Sequence, residues 1–168
     1  MSNNKTIWIG NDHGGYEMKK IFVDHLMTKN YKVVDVGSNS TQIVRYPHYA
    51  AKVASAVSRG EADCGILICS TGIGMSIIAN KFDNIRASLC TTSYMGKMTR
   101  AHNDSNILCL GGKTTGIYEA LDILENWLNT DYEGGRHNIS LSLIREAEGQ
   151  MRNDVLWDPE IPKEEKMG

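Results

Sequence analysis

Cys69 closes an apolar run, GILIC (65–69), and a glycine-bearing turn, STGIGMS (70–76), begins at the next residue. A thiol at a strand end beside a helix start stands in a chemical position. A free thiol titrates near 8.5, and a helix N-terminus lowers that by about one unit or more, which makes the sulfur a base or a nucleophile. The turn itself, with Gly72 and Gly74, opens a helix and offers backbone N–H groups to a phosphate or a developing oxyanion. On spacing alone the plainer reading stays open: a strand cysteine is often a small buried hydrophobe, and the turn an ordinary strand-to-helix connection. Cys64, Cys90 and Cys109 lie within apolar stretches and read as core filling.

Histidines supply a second set. His13, His48, His102 and His137 each occupy a motif rich in Asp, Asn, Gly or Arg at an expected element boundary. An imidazole titrating near neutrality is the commonest general acid–base group, so the set points to proton transfer without choosing a substrate. His25 falls inside the first helix and reads as surface. Metal chemistry is not expected, because no cysteine forms a C-x-x-C pair and no tight Cys/His pairing occurs. Two nucleotide motifs are approached and missed. GIGMSI (72–77) has Ile77 where the dinucleotide fingerprint needs glycine, and GGKT (111–114) would need its first P-loop glycine at Ile107.

Elements of the right kind surround these residues. The 168 residues suit one domain, with 41% hydrophobic and 23% charged residues as in a soluble globular protein. A net charge of −2 gives no basic field for nucleic acid or anionic membrane. No apolar run approaches the roughly 20 residues of a membrane span, and the N-terminus has no signal-peptide core, so a cytoplasmic protein with free thiols is expected. Strand-like runs fall at 6–10, 31–37, 64–69, 85–90 and 106–112. Helical spacing falls at 16–29, after Pro47, at 72–81, around 94–102 and at 116–128. In the first helix Met18, Ile21, Phe22, Leu26 and Met27 make the apolar set, with lysines between them.

Alternation of this kind, with most strands apolar on both faces, predicts an α/β protein. It is a three-layer Rossmann-like fold: a five-stranded parallel sheet, helices on both faces, and a C-terminal helix over 140–151 with a tail. Residues 1–153 read as one domain. Residues 154–168, with two prolines, a charge run and Trp157, read as an extension that is extended, partly disordered or packed on a partner subunit. Ligands collect beyond the carboxyl ends of such strands, here NDHGG, CSTGIG and GGKTTG.

Taken in order, GNDHGG, YPHYA, GILICSTGIG, IANK, RAHNDSN and YEGGRH resemble the ribose-5-phosphate isomerase B family, which also includes galactose-6-phosphate isomerase subunits and allose-6-phosphate isomerases. The resemblance covers residues 5–150. It implies an aldose–ketose isomerase that works through a cis-enediolate with no metal or organic cofactor, as a homodimer or homotetramer whose sites are shared between subunits. It implies Cys69 as the base, His102 as the acid that opens the sugar ring, and Thr71 and Asp12 beside them. Ser70, Thr71, Gly72, Ile73 and Gly74 match the anion-binding loop. Asp12, His13, Tyr46 and Asn103 match sugar contacts, and Lys113, Arg136 and His137 complete the substrate-binding set.

Departures from the family pattern bear on base and substrate. A branch of the family carries a glutamate base just after the glycine loop, where this chain has Met75, which leaves Cys69 as the base. Ser70 replaces a glycine. One family arginine matches Lys113, which keeps charge but not the bidentate fork, and another matches Ser140, which keeps neither. A lost charge-assisted contact costs about 1.5–3 kcal/mol, one to two decades of phosphate affinity. Ribose 5-phosphate and ribulose 5-phosphate are the substrates that the motif set implies. The altered clamp points to a six-carbon aldose 6-phosphate (allose or galactose) or a free aldose, and an inactive sugar-phosphate-binding module is the reading of another class.

Overall fold

Strands that are apolar at every position need cover on both faces, and the chain supplies it with five helices. The computed structural model describes residues 5–153 together with Val155 and Trp157. They fall into two units, one ending at Tyr132 and the other beginning at Glu133. The first holds β1 (Thr6–Asn11), α1 (Tyr16–Thr28), β2 (Lys32–Asp35), α2 (Tyr46–Ser58), β3 (Cys64–Cys69), α3 (Ile73–Ala79), β4 (Ala87–Leu89), α4 (Ser93–Asn103), β5 (Ile107–Gly111) and α5 (Ile117–Leu128). The second holds α6 (His137–Arg152).

The expected Rossmann-like sheet is present: five strands, all parallel, in the order β2-β1-β3-β5-β4. Right-handed crossovers then dictate the layers. The β1-to-β2 and β4-to-β5 steps run one way along the sheet, and the β2-to-β3 and β3-to-β4 steps run the other, which puts α1 and α4 on one face and α2 and α3 on the opposite one. Two cores follow. Phe22 and Leu26 of α1 and Ile123, Leu124 and Trp127 of α5 pack on Ile7, Ile9, Ile66 and Ile68. Val53 and Ala54 of α2 and Met75 and Ala79 of α3 pack on Leu67, Cys69, Ile107 and Cys109. Cys64 belongs to the first core and Cys69 to the second, the opposite faces that their spacing requires.

Local chemistry moves the element ends. Strand β2 stops at Asp35 because its carboxylate takes the Gly37 N–H at 2.9 Å, and β4 starts late because Asn106 Oδ1 takes the Arg86 N–H at 2.8 Å. In α1 the apolar set is corrected. Ile21 and Met27 are 42% and 61% exposed, and Lys19 lies on the core face at 2%. Its ammonium is satisfied there by Asp35 at 2.8 Å and by Ser38 O and Asn39 Oδ1 at 2.9 Å each. His25 is likewise not a plain surface residue, since Nε2 lies 2.5 Å from Glu125 Oε1 of α5. Pro47 sits in the first turn of α2 as expected. The reading of 154–168 falls outside the described residues except for Val155, whose N–H donates to Gln150 O, and Trp157. Among the described residues no helix is long and apolar enough to cross a membrane.

Candidate active site

The crossovers after β1 and β3 leave for opposite faces, so their carboxyl ends part and form a crevice. Three loops meet there. Gly112 N–H donates to Cys69 O at 2.8 Å and Lys113 N–H to Ser70 O at 3.0 Å, which pins the loop after β5 to the loop after β3. The loop after β1 closes on the same turn. A Cβ at Gly14 would lie 2.8 Å from Ser70 N and collide with its hydroxyl, so glycine is what lets the two backbones touch.

Cys69 is the last residue of the central strand and is 5% exposed. Its Sγ accepts the Gly72 N–H at 3.1 Å. That donor is aimed at the sulfur because Gly72 takes φ 78°, and a Cβ there would also lie 2.9 Å from the Leu110 carbonyl carbon. The other three thiols are of a different kind. Burial pushes Cys64 up to about 12 and Cys90 up to about 11, and drives Cys109 well above the ordinary thiol value. They stay protonated core residues, as expected. Met75 is fully buried against Leu67 and Cys109.

Around the thiol, Ser70 is half-buried and Thr71 and Ile73 are exposed. Thr71 Oγ1 accepts the Ile73 N–H at 3.3 Å, which shapes the turn into α3. Tyr46, at the start of α2, lays its ring on this turn: a Cβ at Gly74 would lie 2.7 Å from it. Asp12 is 5% exposed and its Oδ1 accepts the Gly14 N–H at 2.8 Å. His13 Nδ1 accepts the Val44 N–H at 3.3 Å, so the neutral ring carries its proton on Nε2 and presents a donor there.

Within one chain, then, Cys69, the 70–74 turn, Asp12, His13, Tyr46 and the Lys113 backbone share one edge of the sheet. His102 and Asn103 do not join them. They end α4, and the residues just beyond lie at the amino edge, where Asn106 O accepts the Gly65 N–H at 2.9 Å and Asn106 N donates to Arg86 O at 3.2 Å. From Gly65 to Cys69 is about 13 Å of strand. Arg136 and His137 open α6 in the second unit, with Arg136 exposed and His137 Nε2 3.5 Å from Glu133.

Two residues beside the crevice are not among the site residues expected from the sequence. Asn11 is fully buried at the end of β1, where its Nδ2 donates to Asp12 O at 2.7 Å and Ser38 O at 3.2 Å. Lys19 grips the same Ser38 carbonyl from α1. The signal for Lys19 is its place at helical spacing with Phe22 and Leu26, and that for Asn11 is its place in NDHGG at the carboxyl end of a strand.

Comparison with known proteins agrees with this architecture. A family profile described as Ribose/Galactose Isomerase matches residues 7–144. Ribose-5-phosphate isomerase B of Escherichia coli (strain K12) is 46% identical over 149 residues, 89% of this chain and 99% of that protein. The structure of ribose-5-phosphate isomerase B from Clostridium thermocellum is 48% identical with a TM-score of 0.85, covering 87% of this chain and 99% of that one. The enzyme of that name from Mycoplasma genitalium, with bound ribulose-5-phosphate, is 36% identical with a TM-score of 0.83, covering 86% and 97%. Strand order, crevice and profile converge: the chain belongs to the Ribose/Galactose Isomerase family.

Proposed function

We propose that this chain is an aldose–ketose isomerase that interconverts ribose 5-phosphate and ribulose 5-phosphate through a cis-enediolate. The observation that carries the reading is the Cys69 sulfur held against the Gly72 N–H at the switch point of the sheet, at the mouth of a turn of amides. The Cys69 thiolate removes the C2 proton of the open aldose, the electron pair forms the C1–C2 double bond, and O1 becomes an oxyanion. Return of the proton to C1, with transfer of the O2 proton to O1, gives the ketose. Amides of the Ser70–Gly74 turn and the Thr71 hydroxyl stabilise the oxyanion. Asp12, His13 through Nε2–H, Tyr46 and Asn103 bind sugar hydroxyls, His102 exchanges the ring proton, and Lys113, Arg136 and His137 hold the phosphate. A cytoplasmic location goes with this reading, as do the four free cysteines.

The working unit in this reading is a homodimer, or a tetramer built of such pairs. What supports it is the separation of Cys69 and His102 at opposite edges of one sheet, so that in this reading a second copy brings His102 to the thiol. Steady-state kinetics test the chemistry. Cys69→Ala should lower ribose 5-phosphate turnover by roughly two to four decades, the range of a general base, with the thermal midpoint little changed. Undiminished turnover in that variant would remove Cys69 from the mechanism. Lys113 and Ser140 favour a second reading, a six-carbon 6-phosphate or a free aldose; a tenfold or greater kcat/KM advantage for such a sugar would put it first.

A further inference from the structure

Helix α4 delivers His102 and Asn103 and ends there, on an unusual residue. Asp104 sits at φ 46°, ψ 46°, a left-handed conformation that L side chains avoid and glycine takes freely at helix ends. Its carboxylate is gripped from two sides, Oδ1 3.0 Å from Arg100 Nη1 and Oδ2 3.0 Å from Arg86 Nη2. The same guanidinium groups reach the backbone. Arg86 Nε donates to Asn103 O at 3.0 Å and Asp104 O at 2.9 Å, and Arg100 Nη1 donates to Ser105 O. Three consecutive carbonyls at a helix end are thus satisfied by two arginines from different elements.

A second layer backs the first. The Arg86 N–H is held by Asn106 Oδ1 at 2.8 Å. Trp127 of α5 donates its indole N–H to the buried Ser105 hydroxyl at 2.7 Å, and the Arg100 guanidinium lies 5.9 Å from the centroid of that indole.

We propose that Arg86, Asp104 and Arg100 form a positioning clamp that sets the angle and depth at which His102 and Asn103 meet the substrate. The proposal rests on the isomerase reading above. A cap serving stability alone is met by glycine, which relieves the backbone and needs no arginine. This chain instead places an aspartate in a disfavoured conformation directly after the two functional residues and fixes it twice. The side chains are 26% (Arg86), 21% (Arg100) and 35% (Asp104) exposed, and ion pairs that reach solvent stabilise a fold little. What the clamp supplies is geometry.

The test uses the two directions of the reaction. A ketopentose with its 5-hydroxyl phosphorylated cannot close a ring, so deuterium exchange at its C1 in heavy water needs the thiol and the turn but no ring-opening acid. Asp104→Gly relaxes the backbone and removes the carboxylate; Arg86→Met weakens the clamp without touching the turn. Both variants should lose roughly ten- to a hundredfold in kcat on ribose 5-phosphate, the cost of misplacing a positioned group. KM for both sugars should rise through the displaced Asn103, while C1 exchange of saturating ribulose 5-phosphate should stay within about twofold of wild type. Full aldose turnover in Asp104→Gly would reduce the clamp to a helix cap and overturn the proposal. Equal loss of exchange and turnover in both variants would overturn it too, as general loss of structure. If the wild-type protein performs neither reaction, the isomerase reading fails first and the clamp with it.

Discussion

Chemistry at the residue scale turns on what a side chain faces. Four cysteines share strand-like surroundings; burial pushes Cys64, Cys90 and Cys109 toward the thiol form, and the Cys69 sulfur accepts the Gly72 N–H at the mouth of the turn. Position matters in the same way for the phosphate contacts of the proposed reading, in which Arg136 offers a guanidinium and Ser140, exposed on α6, only a hydroxyl. Ser140→Arg should therefore lower KM for ribose 5-phosphate by about one to two decades and leave the KM of free ribose unchanged. An unchanged KM for the phosphorylated sugar would mean that the existing cations already saturate the phosphate.

At the scale of elements, buried and half-buried ion pairs tie helices to the edge that carries the site. Lys19 joins α1 to the end of β2 and to the loop that leads to Val44, the residue that orients His13. Lys19→Met fills the space without the charge. Asp35 is a third exposed and regains water, so the expected loss is about 1–3 kcal/mol, below that of a fully buried pair, read as a lower urea midpoint. Glu125 of α5 joins α1 through His25 at 2.5 Å and Lys29 at 2.9 Å. Burial works to raise its carboxyl, but the hydrogen bonds from His25, Lys29 and Asn129 and the Lys29 charge outweigh it and hold the carboxyl below the ordinary value. A carboxyl depressed in the folded state contributes stability that is complete above its unfolded value, about 4.3, and is lost as pH falls through the folded value. Glu125→Gln should be less stable than wild type at neutral pH, and the difference should shrink on acidification below about pH 4.3 in urea unfolding.

For the whole molecule the decisive fact is that one sheet has two edges. Cys69 leaves at the carboxyl edge and His102 stands toward the amino edge, so no single chain of this fold assembles both. In the proposed reading Cys69→Ala and His102→Ala each lose most of their ribose 5-phosphate turnover, and mixing them should restore activity, to roughly a quarter of wild type for random exchange in a two-fold dimer, where mixed pairs keep one intact site. Mixtures that stay inactive after proven subunit exchange would place the acid and the base in one chain, against the geometry of β3 and α4.

Much of this was legible along the chain because it depends on local pattern. Strands apolar at every position require a two-sided parallel sheet, Gly72 and Gly74 after a strand mark a turn into a helix, and Pro47 marks the start of α2. The site motifs were legible for the same reason, since the residues of the 69–74 turn are neighbours in sequence as well as in space. Tertiary structure alone decided the rest. Strand order β2-β1-β3-β5-β4 depends on which edges pair across long separations. The burial of Lys19 in place of Ile21 depends on a carboxylate and a carbonyl that arrive from β2 and the following loop. The parting of Cys69 from His102 follows from the direction in which α4 returns across the sheet, a property of the crossover that no local spacing encodes.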